Sequence, residues 1–184
     1  MASSEFVVGT ARRQLSQILK GYSNFEDENA VNYVFATVDV KQGNGGAGTI
    51  TPIGTALVWE SGVSAFIPYE GGTEVADAIT DDNSTIGGGG AVVCVTVGQA
   101  EGKGLNKEDL TLSTVAQKVT VIYRGVSVVK DGPVSPNNKG GEGIQWDDAV
   151  DDTEADLFKD QLERQGVGVF PISTETVTPF FVEA

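Results

Sequence analysis

Residues 51–82 read TPIGTALVWESGVSAFIPYEGGTEVADAITDD, and this stretch decides the fold. Gly54–Glu60 and Val63–Tyr69 are two runs rich in apolar, β-branched and aromatic residues, separated by Ser61-Gly62, the spacing of a β-hairpin. A Gly71-Gly72 turn follows, and then an Ala-rich apolar stretch. Outward from the hairpin, Ala91–Val97 (AVVCVTV) and Gln117–Tyr123 (QKVTVIY) read as buried or half-buried strands. Gly125–Lys130 reads as a further strand ending at an Asp131-Gly132 turn, and Tyr33–Val40 (YVFATVDV) as a strand ahead of the hairpin. Leu105–Leu110 reads as a helical turn. Thr80–Gly90 and Pro133–Asp148 read as loops, the second long enough to expect a function or disorder.

The segment Asp156–Ile172, DLFKDQLERQGVGVFPI, reads as a short acidic helix that stops at Gly166 and feeds a closing strand. Ala155, Phe158 and Leu162 fall at i, i+3 and i+7 and form its inward face, with Leu157 on the flank. Thr153 is placed to cap the helix, with Asp156 completing a T-x-x-D box. The fold class expected is mainly β with short helices (α+β).

Absences narrow the chemistry. The chain has no His, which excludes Ser-His and Cys-His nucleophile pairs and His-ligated zinc. Its one Cys, Cys94, sits in an apolar strand with no basic neighbour in sequence and reads as a buried small hydrophobe. One Cys makes no internal disulfide. The Gly87–Gly90 run lacks the Lys-Ser/Thr of a phosphate-binding loop. The acidic run 147–156, DDAVDDTEAD, has no Gly at the sixth position of a calcium loop, and it reads as a helix start. Trp59, Phe66 and Tyr69 are read as hairpin packing in preference to a sugar platform. No cofactor and no metal site are expected.

No apolar stretch approaches the length of a membrane span and no basic, apolar leader opens the chain, so a protein soluble when made, with no membrane partner, is expected. Net charge is −14, unevenly spread. Residues 1–25 hold three basic side chains and one acidic, whereas the remainder holds nine basic and twenty-five acidic. Such an acidic body repels nucleic acid, whose binding rests on Lys and Arg. Ala11, Leu15, Ile18, Leu19 and Tyr22 form a helical stripe between a Thr10 cap and Gly21. The Gly-rich joint at 42–48 is read as the boundary between an N-terminal extension, 1–48, and a body, 49–184.

In order along the chain, Thr51-Pro52; Leu57-Val58-Trp59 with Phe66 and Tyr69; Gly71-Gly72-Thr73 with Ala76 and Ala78; Tyr123-Arg124-Gly125; and the segment 156–172 resemble the lambda-type head decoration proteins of tailed bacteriophages. The resemblance covers about residues 51–172. It implies a β-clip-like body with an N-terminal arm, a homotrimer, and attachment to the major capsid protein at quasi-threefold sites on the outer surface of the expanded head. It also implies a non-enzymatic role in stabilising that shell within the virion. The capsid-contact candidates are Phe6, Val7, Val8, Arg12, Arg13, Leu15, Ile18 and Leu19, and the body-core candidates are Trp59, Phe66, Tyr123, Phe158 and Leu162. In two respects the chain departs from the family. Residues 84–118 form an insertion and 135–150 an enlarged loop, and the leader reads as helix plus strand where the family has a short arm. A head-fibre base or surface adhesin binding host glycans, and a carboxylate-dependent hydrolase, are the competing readings.

Overall fold

The computed structural model describes residues 18–19, 35–43, 50–51, 53–81, 86, 90–99, 110–111, 113–124, 128–134 and 143–171. Their strands are β1 (Phe35–Val40), β2 (Ile50–Thr51), β3 (Ala56–Glu60), β4 (Ala65–Pro68), β5 (Val93–Gln99), β6 (Leu110–Thr111), β7 (Gln117–Ile122), β8 (Val128–Lys130) and β9 (Gly168–Phe170). Two helices, α1 (Glu74–Thr80) and α2 (Asp152–Arg164), complete a mainly β, α+β structure.

Five strands close a barrel in the order β1-β4-β3-β5-β7, with β7 returning to β1. The β3–β4 hairpin forms as its sequence predicts, in the register Trp59↔Phe66 and Val58↔Ile67. Alternation fixes which face goes inward. On β1 the residues Val38 and Val40 are buried while Phe35 and Thr37 are exposed, so the buried set faces the barrel interior. Register carries that face round the wall: Val38 lies opposite Val119, Val40 opposite Phe66, and Leu57 opposite Cys94. Trp59 meets Phe66 edge-on inside, with ring centroids 5.3 Å apart. Cys94 is fully buried, as its apolar surroundings in sequence predict, and burial pushes its thiol well above the usual range.

The outer face of β3 and β5 is buried as well, because helices cover it. The alternation therefore gives way there to the continuous apolar runs Ala56–Trp59 and Ala91–Val97. α1 lies on β3, and α2 lies on β5 and β9. Ala155, Phe158 and Leu162 point inward from α2 as their spacing predicts, joined by Gln161, and Leu157 stays exposed on the flank. Phe158 stacks on Tyr69 at 5.4 Å and meets Trp146 edge-on at the same separation. Burying a ring of this size contributes about 2–3 kcal/mol. The helix ends in a Schellman motif: Gly166 takes φ 93°, its amide donates to Glu163 O, and Val167 N donates to Leu162 O. The buried pair Leu162 and Val167 supplies the apolar contact that accompanies such a cap.

Several expectations change. The cap of α2 is Asp151, not Thr153: Asp151 Oδ1 accepts from Glu154 N, and Glu154 Oε2 accepts from Asp151 N. The Ala-rich stretch after Gly71-Gly72 is helix α1. Leu110, expected to close a helical turn, starts β6, which pairs with β2; residues 105–109 lie outside the described residues. Most importantly, Phe35–Val40, assigned above to the extension 1–48, is a barrel stave. It pairs with β7 through six residues, from Phe35↔Ile122 to Val40↔Gln117. Ile18 and Leu19, expected on a helical stripe, are a turn and a strand bridge: Leu19 bridges Val129, and Lys130 N donates to Ile18 O at 2.6 Å. The rest of that stripe, 10–17 and 20–22, lies outside the described residues, as do residues 44–48 of the Gly-rich joint.

Removal of residues 1–42 thus takes out a stave and leaves β4 and β7 without a neighbour on one side. The truncated chain is expected to lose its cooperative thermal transition, read by near-ultraviolet circular dichroism. Retention of the full-length midpoint would overturn the place given to β1.

Candidate functional site

Two regions bring polar and aromatic side chains together. The first is the junction where α2 docks against the hairpin exit. Gly71 and Gly72 both take positive φ, 96° and 67°, which turns the chain so that Gly72 N meets Glu154 Oε1 at 2.6 Å. One carboxylate therefore closes the α2 capping box and grips the Gly-Gly turn 82 residues away. Tyr69 Oη donates to Glu154 O at 3.3 Å. Burial, with the Glu154, Glu74 and Asp151 charges behind it, pushes the Tyr69 phenol up to about 12. Glu74, at the start of α1, accepts from Glu70 N at 3.0 Å. Burial raises its carboxyl above the ordinary value; the Glu70 amide opposes that rise, and repulsion from Glu70, Glu60 and Asp147 adds to it.

At the other end of α2, Gln165 joins two staves. Its Oε1 accepts from Val92 N and Val93 N, and its Nε2 donates to Val93 O at 2.8 Å and Tyr123 O at 2.7 Å. On the flank, Lys159 reaches Asp156 and Asp131. Burial works against its charge, and the two carboxylates outweigh that and hold its pKa above the ordinary lysine value. Trp146 Nε1 donates to Gly132 O at 2.8 Å. Apart from the capping box and the Lys159–Asp156 pair within α2, these contacts tie one part of the fold to another, and the described residues contain no group of His, Cys, Asp and Glu spaced to hold a metal ion.

The second region is a cleft of about 560 Å³ in the barrel wall. β1 pairs with β4 at one point, Val40↔Phe66, so the two strands part below it. The interior-facing Ala36, Val38, Trp59 and Phe66 form the floor, and Thr37, Asp39, Ser61 and Ser64 stand on the rim. Asp39 is paired with Lys118 at 2.8 Å, and Ser61 Oγ donates to Asp81. Ser64 sits at φ 49°, a left-handed backbone that costs about 1–2 kcal/mol for a non-Gly residue, and Lys41 Nζ donates to Val63 O of the same turn at 2.7 Å. Trp59 is buried, and its Nε1 has no hydrogen-bond partner. An orphaned buried donor of this kind costs about 1–3 kcal/mol.

Of the capsid-contact candidates, Phe6, Val7, Val8, Arg12, Arg13 and Leu15 lie outside the described residues. Ile18 and Leu19 are buried at 0% and 1% exposure against β8, so they are core and not free contacts. The core candidates Trp59, Phe66, Phe158 and Leu162 are buried, and Tyr123 is half-buried against them. Sequence reasoning missed Gln165 and the dual role of Glu154, because a Gln near a helix end and a Glu in a first turn have ordinary solvated roles. It missed the cleft because strand splaying has no local signal. Comparison with family models, curated proteins and solved structures finds no match.

The raised carboxyl of Glu74 has a definite pH consequence. Its charged form is disfavoured in the folded chain, so its contribution to stability is fully present below its unfolded value, 4.5, and is lost as pH rises through the higher folded value. Glu74→Gln keeps an acceptor for the Glu70 amide and removes the repulsion. The variant is expected to unfold at a higher temperature than wild type at pH 7 and at nearly the same temperature at pH 4, measured by calorimetry.

Proposed function

We propose that this chain is a non-enzymatic capsid decoration, or cement, protein of a tailed bacteriophage. It binds the major capsid protein on the outside of the expanded head, as a homotrimer at quasi-threefold sites, and stabilises the shell against internal DNA pressure. A β-clip-like reading of the body belongs with this proposal. One observation carries it. The segments that hold the family resemblance are distant in sequence, yet two of them meet the late segment directly. Tyr69 stacks on Phe158 at 5.4 Å, and Tyr123 O accepts from Gln165 Nε2 at 2.7 Å. Motifs that converge on one helix support a shared scaffold more strongly than their order alone.

The physical logic of such a role is contact energy. A trimer on a threefold site repeats one contact three times, so modest contacts gain avidity. Binding only the assembled shell shifts its equilibrium away from opening. The net charge of −14 favours partners other than nucleic acid. The alternative, a head-fibre base or adhesin using residues 84–104 and 135–150 on host glycans, finds no exposed ring at Trp146, which is buried at 7% exposure.

Mixing the purified full-length protein with undecorated expanded shells tests the reading. Decorated particles are expected to stay closed at temperatures that open bare ones, with protection growing with free protein concentration. Substituting Phe6, Val7 and Val8 together by Ser is expected to weaken attachment. Shells that neither bind the protein nor gain heat resistance would overturn the proposal.

A further inference from the structure

We draw no further inference here: the strongest candidate, the cleft between β1 and the Ser61–Ser64 turn floored by Trp59 and Phe66, reaches Ile86, whose chain neighbours lie outside the described residues, and nothing in the structure shows what covers it.

Discussion

A ring with an odd number of strands has a parity problem, and much of this structure follows from how that problem is placed. The hairpin β3–β4, the return to β5 and the β7–β1 ladder are each antiparallel, so closure forces β1 and β4 into the same direction. The mismatch is concentrated at one joint instead of being spread round the wall. Val40 and Phe66 hold the ring shut there, and β1 relies on β7 along the rest of its length. The orphaned Trp59 donor, the left-handed Ser64 and the cleft all lie at this joint. Departures from ideal packing gather where a structure has something else to accommodate.

Helix α2 balances that weak joint on the opposite side. Its first turn grips the hairpin exit through Glu154, and its last turn ties the start of β5 to the end of β7 through Gln165. Each neutral hydrogen bond of this kind contributes about 1 kcal/mol net, and a charge-assisted one more. The aromatic group Tyr69, Phe158 and Trp146 fills the space between the two grips.

The sequence spoke most clearly where the signal was local. Alternating runs around Ser61-Gly62 specify the hairpin, and Ala155, Phe158 and Leu162 specify the buried face of α2. The AVVCVTV and QKVTVIY runs mark β5 and β7. Where two local frames competed, tertiary contact decided. Thr153 with Asp156 and Asp151 with Glu154 are both capping patterns two residues apart, and the second prevails because its Glu also satisfies the Gly72 amide. The membership of β1 in the barrel was not legible, since its partner β7 lies some eighty residues further on and a Gly-rich run stands between. Ile18 and Leu19 fitted a helical stripe, yet Leu19 bridges to Val129, a pairing no window of sequence contains.

The central claim is that β1 closes the body and does not belong to a detachable arm. Native-state hydrogen exchange across a denaturant series tests it most directly. The β1 amides that face β7, at Ala36, Val38 and Val40, are expected to open only with the whole barrel and to merge with the amides of β5 and β7 in one global transition. Exchange of those three amides through a lower-energy opening, while β3 to β5 stay protected, would contradict it.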